Sequence, residues 1–169
     1  MREFQYLVGR MDLGRLTHPR TATICPMSIY VFVYGTLRAG EINDLAQAAA
    51  RRGLPPARHV GPATVPGMLV DFGDWPGLLP VTDGRRVLGD IYEVDPALVA
   101  LMDEIEEYVP GRPGCFVRRP VLARHLAAGA APVACDYYPI DPAWRGAAAD
   151  IDGDDWIAYR RARPARSQP

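Results

Sequence analysis

The stretch V-F-V-Y-G-T-L-R-A-G, residues 31 to 40, runs β-forming residues straight into Gly35, Thr36, Leu37 and Arg38, with a second glycine at Gly40. A connection that merely reversed the chain would more often combine glycine with Asn, Asp or Pro. Here an aromatic, Tyr34, and a hydroxyl, Thr36, flank Gly35 where strand gives way to loop. That arrangement leaves backbone N–H groups free to meet a ligand. Ile29 to Tyr34 is therefore read as the first strand, and the turn at its end as the first candidate binding site.

Outward from this strand the chain reads as short strands with one or two helices. Glu41 to Arg52 is alanine-rich and helical, and Gly53-Leu54-Pro55-Pro56 stops it. Two strands are expected around His59-Val60-Gly61 and over Ala63 to Val70, then a Gly/Pro-rich loop over Asp71 to Pro80. Arg86 to Val94, Phe116 to Ala123 and Val133 to Tyr138 supply three more strands. Many short strands with few helices point to an α+β fold, a small mixed β-barrel with helices packed outside it. Residues 1–27 have no sustained periodicity and are read as a disordered or over-extended arm, with the domain over 28–160. Residues 161–169, basic and almost free of large apolar side chains, are read as a flexible tail.

The residue inventory narrows the chemistry. At 169 residues, 49% hydrophobic and 23% charged, the chain has the composition of a one-domain globule. A net charge of −1 gives no reason to expect nucleic acid or an anionic membrane as a partner. All basic residues are Arg, which removes a Schiff-base or phosphate-loop lysine. The two serines, Ser28 and Ser167, precede the first strand and lie in the tail, so a serine triad is disfavoured. Cys25, Cys115 and Cys135 have no CxxC spacing, and His18, His59 and His125 are scattered. No metal site or cofactor is expected. The unpaired cysteine count and the lack of a hydrophobic signal-peptide core suit a reducing cytoplasm.

One helix carries an odd acid. In V-D-P-A-L-V-A-L-M-D-E-I-E-E-Y-V-P-G, residues 94 to 111, Asp95 is a good N-cap and Pro96 a good first residue. Leu98, Leu101, Met102 and Ile105 form one buried stripe. At about 100° per residue, Glu107 falls about 170° and Asp103 about 150° from the stripe's centre, both on the solvent side. Glu106 at about 90° and Glu104 at about 110° sit on the two boundaries between core and water. Either carboxyl could enter a pocket at the helix's electronegative end, where burial would raise its pKa into the range of a neutral-pH acid/base.

Taken together, these pieces resemble the γ-glutamyl cyclotransferase-like family, which includes the γ-glutamylamine cyclotransferases and AIG2-like proteins. Its opening strand and Y-G-[ST]-L-x-x-G are matched by Tyr34 to Gly40, and its L-D-x-x-E-G-Y by Met102 to Tyr108. Pro76-Gly77-Leu78, Val87 to Tyr92, Phe116 to Val121, Tyr137 and Gly153 to Trp156 follow in the family's order. The resemblance spans residues 28 to 160 and implies the family's small barrel fold. It also implies Glu106 as the catalytic acid/base, and Tyr34, Gly35, Thr36, Leu37 and Tyr137 as substrate-binding residues. The implied reaction converts a γ-glutamyl amine or amino acid to 5-oxoproline and free amine without a cofactor. The alternative is a non-catalytic ligand-binding domain on the same fold. Glu107 replaces the family's usual glycine, and Phe116 stands where tyrosine is common.

Overall fold

The computed structural model describes residues 28–163, so the arm over 1–27 and residues 164–169 of the tail lie outside the described residues. The elements are β1 (Ile29–Val33), α1 (Leu45–Arg51), β2 (Arg58–Pro66), β3 (Met68–Asp71), β4 (Pro76–Leu79) and β5 (Arg86–Val94). They continue with α2 (Pro96–Ile105), β6 (Arg119–His125), β7 (Val133–Tyr137), β8 (Ala149–Asp150) and α3 (Trp156–Ala162). The expected barrel with outer helices is present. It closes in the order β1-β5-β2-β6-β7, while β4, β3 and β8 form a second sheet. Closure depends on β1, which pairs antiparallel with β5 and parallel with β7 through Val31 and Asp136.

Both faces of β1 are covered, which is why its sequence is a continuous apolar run rather than an alternation. Val31 and Val33 pack with Tyr92 and Val94 against Leu45 of α1 and Leu98 and Met102 of α2. Phe32 and Tyr34 turn the other way, into a cluster with Ala63, Ile91, Ala123, Cys135 and Trp156 that fills the barrel. The α2 stripe is buried as expected, with Leu98 and Met102 fully covered. Each such side chain contributes about 1.5–3 kcal/mol of burial. At Gly89 the strands β1 and β5 come so close that a Cβ would lie 2.2 Å from the Val33 carbonyl oxygen.

Several expectations need correction. The Asp71–Pro80 segment is not all loop: Pro76–Leu79 is β4, fully buried and paired with β3 from Met68↔Leu79 to Asp71↔Pro76. A proline is tolerated because it opens an edge strand. The chain does not break after Gly61: β2 runs on to Pro66 with a bulge between His59 and Gly61, and leaves the barrel at Gly67 instead. There a Cβ would sit 2.8 Å from Leu78 Cδ2. Helix α1 begins at Leu45 rather than Glu41, because the Asp44 carboxylate caps it, accepting from the N–H groups of Ala46 and Gln47. Phe116 makes only an isolated bridge to Ile140, and β6 starts at Arg119. Residues Trp156–Ala162 form a helix capped by Asp155, so α3 carries the chain past 160. Arg163 then bonds the Asp71 carboxylate and the Gly73 carbonyl.

Candidate active site

The end of β1, the C-terminal end of α2, the Pro113–Phe116 segment and the Trp75–Pro76 turn surround a cavity of about 590 Å³. That volume suits a small organic ligand. Tyr34, Gly35, Thr36, Leu37 and Glu106 all line it, so two motifs some seventy positions apart in the sequence share one pocket.

At Glu106 the backbone leaves the helix: its N–H still donates to Met102 (2.9 Å), but the residue is the C-cap, with φ −85° and ψ 3°. Its side chain is partly buried. Burial raises the carboxyl's pKa from 4.5 to about 8, with no compensating cation or hydrogen bond among the causes. The C-terminal end of α2 also disfavours the anion. Two neighbours register the charge: Tyr34, pushed well above its ordinary value by burial and then by Glu106, and Cys115, raised by burial and then by Glu106 and Asp141.

The turn after β1 is held from three sides. The Tyr34 hydroxyl donates to the Tyr138 carbonyl (2.8 Å) and accepts from the Leu78 N–H (3.2 Å), pinning the barrel to the second sheet. Asn43 donates from Nδ2 to Thr36 Oγ1 (3.2 Å) and from its backbone N–H to the Thr36 carbonyl (3.0 Å). Arg38, 9% exposed, reaches Asp90 of β5 (2.8 Å) and Asp155 at the start of α3 (2.7 Å). Among the described residues, the N–H groups of Gly35, Thr36 and Leu37 have no acceptor within the protein. Gly35 is required by the protein itself, since a Cβ there would lie 2.7 Å from Pro76 Cγ.

The remaining acids separate clearly. Glu104 is exposed and pairs with Arg52 (2.9 Å) on the surface, away from the cavity. Glu107 is exposed at the cavity's edge and adopts φ +52°, a left-handed conformation that glycine takes without strain. Glu107, where the family usually has glycine, thus sits on a strained backbone, while Glu106 beside it lines the cavity. Asp103, expected to face water, instead accepts from the Tyr138 hydroxyl (2.6 Å) and pairs with Arg118 (2.9 Å). A helical wheel sees only the α2 stripe, and these partners come from the residues just after β7 and just before β6.

Tyr137 is not among the lining residues. Side chains on a strand alternate: Tyr137 packs into the barrel cluster, and the next residue, Tyr138, faces the cavity. Tyr138 was missed because two adjacent tyrosines give no parity signal. Asn43, Trp75 and Trp144 also line the cavity, the first two from loops and the last from a three-residue 3-10 turn, all too short for a period to mark them. No helix among the described residues is long and apolar enough to cross a membrane.

The family model described as "Gamma-glutamyl cyclotransferase, AIG2-like" matches residues 31–158. A γ-L-glutamyl-butirosin B γ-glutamyl cyclotransferase of Niallia circulans is 39% identical over 83 residues, 46% of this chain and 46% of that protein. A γ-glutamylaminecyclotransferase of Bos taurus is 37% identical over 79 residues, covering 45% of this chain and 47% of its own. The chain spans about half the length of these two curated relatives. A solved AIG2-like protein of Mus musculus superposes with a TM-score of 0.57 at 26% identity, covering 69% of this chain and 82% of that one. With its barrel, its Y-G-T-L turn and its family match agreeing, the chain belongs to the AIG2-like γ-glutamyl cyclotransferase family.

Proposed function

We propose that this protein converts a γ-glutamyl amine to 5-oxoproline and free amine, with Glu106 as acid/base. A γ-glutamyl amide carries its own nucleophile, so the protein has only to fold the substrate and move protons. The α-amine attacks the γ-carbonyl carbon, a C–N bond forms, and the bond to the departing nitrogen breaks. The attacking ammonium loses two protons in all and the departing nitrogen gains two. Glu106 carries them one at a time, which needs a carboxyl whose two forms interchange near neutral pH. The observation that carries the reading is geometric: Glu106 lines the same cavity as the Tyr34–Leu37 turn, with no cation paired to its carboxyl, and burial raises its pKa to about 8.

Gly35, Thr36 and Leu37 offer their free N–H groups to the substrate's carboxylate or to the oxyanion formed on attack. Tyr34 and Tyr138 form the wall that keeps water from the acid. The lining includes acidic residues and no Arg or His, which disfavours a departing group that bears its own carboxylate. Amines are therefore preferred over amino acids as leaving groups, in keeping with the names of the relatives. The test is incubation with γ-glutamyl amides, γ-glutamyl amino acids and glutathione, with detection of 5-oxoproline. Release from the amides supports the reading; ligand binding without any 5-oxoproline would leave a binding domain in its place.

A further inference from the structure

The residues that line the cavity differ in how far water reaches them. Glu106 and the free N–H groups of the Tyr34–Leu37 turn occupy the sheltered part, where Tyr34 and Leu37 are 6% and 4% exposed. The mouth is different. Ile42, 78% exposed, and Trp144, 52% exposed, both border the cavity. Large apolar side chains left in water around a concave site mark a surface meant to be covered.

Behind them the wall is aromatic and preformed. Trp75 stacks on Phe72 at 4.2 Å between centroids and leans on Phe116 at 5.5 Å. Phe116, where the family commonly has tyrosine, takes a hydroxyl out of this wall. The short turn that carries Trp144 is closed by its backbone N–H, which donates to the Asp141 carbonyl (2.9 Å), while the Asp141 carboxylate accepts from the Ala143 N–H. A tryptophan left half-exposed beside the cavity fills no core.

Given the cyclotransferase reading, on which this inference rests, the glutamyl half must sit at the sheltered end, because both its amine and its γ-carbonyl have to reach Glu106. The departing amine then projects toward the mouth. We propose that Ile42, Trp75, Phe116 and Trp144 form a leaving-group subsite for an amine with a flat apolar body, an arylalkylamine in chemical class. Such a body stacks on the indole and benzyl faces and covers Ile42 and Trp144 together. A short alkyl amine leaves the rim wet, and an amino acid brings a carboxylate to Asp74 and Glu107 at the cavity's edge.

The experiment compares the γ-glutamyl derivatives of methylamine, benzylamine, phenylalanine and the ε-amine of lysine, reading kcat/KM for 5-oxoproline release by the full chain. The benzylamide is expected to exceed the methylamide by about tenfold or more, carried mainly by KM. It is also expected to exceed the phenylalanine derivative, which has the same ring and an added carboxylate. Trp144→Ala should remove most of the benzyl-over-methyl ratio. Ile42→Ala, at a still more exposed position, should reduce that ratio if the tryptophan variant does not fold. A preference for the lysine derivative, or an equal rate for all amides, would overturn the subsite while leaving the reaction standing. So would a ratio that survives both substitutions. No turnover of any derivative would refute the cyclotransferase reading and the subsite with it.

Discussion

Glu106→Gln should make the protein more stable, by an amount that grows with pH. The wild-type carboxyl has a pKa of about 8 when folded, against an ordinary value of 4.5. Between those values the folded chain holds a proton that the unfolded chain has released, so stability falls as pH rises. The slope is about 1.4 kcal/mol per pH unit, beginning above about 4.5 and complete by about 8. Across the whole window the loss is at most about 5 kcal/mol, and roughly 3–5 kcal/mol once water at the cavity mouth is allowed for. Glutamine has nearly the same shape and no proton to lose, so the variant is spared this term. Urea denaturation of both proteins from pH 5 to 8.5 isolates it, because every other group titrates in both. The two should be close at pH 5 and diverge in the variant's favour toward pH 8. A constant difference across that range, or a wild type that gains on the variant as pH rises, would mean that the fold favours the anion. The acid/base argument would then lose its basis.

Three further outcomes follow from the same geometry. The wild-type kcat/KM for a γ-glutamyl amide should drop about tenfold per pH unit below about 8, since only ionised Glu106 accepts the first proton; a flat profile from pH 6 to 8 would exclude it as the base. Glu107→Gly relieves the left-handed backbone at φ +52° and should raise the midpoint of thermal unfolding, by up to about 1 kcal/mol of stability. A loss of stability would count against strain there. Arg38→Met takes one partner from each of the Asp90 and Asp155 carboxylates, which keep His59 and the Ile157 N–H respectively, and should cost roughly 1–3 kcal/mol. Denaturant midpoints within experimental error of wild type would show that the pair is dispensable.

What the sequence made legible follows element by element from the physics. The first strand, the α2 stripe with its Asp95 cap, and β5 were readable because each is buried with a strong period or an unbroken apolar run. β4 was hidden behind a Pro-Gly pair whose cost is cancelled by an edge position and by the fully buried leucines that follow. The short β8 carries too few residues for any period to emerge. At the site, local wheel geometry narrowed the acid to Glu104 or Glu106 but could not choose between them. The choice depends on where the chain after α2 folds back, bringing Pro113–Phe116 over one flank and leaving the other to Arg52. Asp103 shows the same limit, since its partners Tyr138 and Arg118 lie 35 and 15 positions away.

The most direct test of the account is the rate of 5-oxoproline release from a γ-glutamyl amide at pH 8, measured for wild type, Glu106→Gln and Glu107→Gln. General acid–base catalysis is worth about 10² to 10⁴ in rate, and a residue that makes both transfers belongs at the upper end. Glu106→Gln should therefore lose about 10⁴-fold in kcat while still binding substrate, and Glu107→Gln less than about tenfold. Retained activity in Glu106→Gln, with the loss appearing in Glu107→Gln, would contradict the assignment and move the acid by one residue.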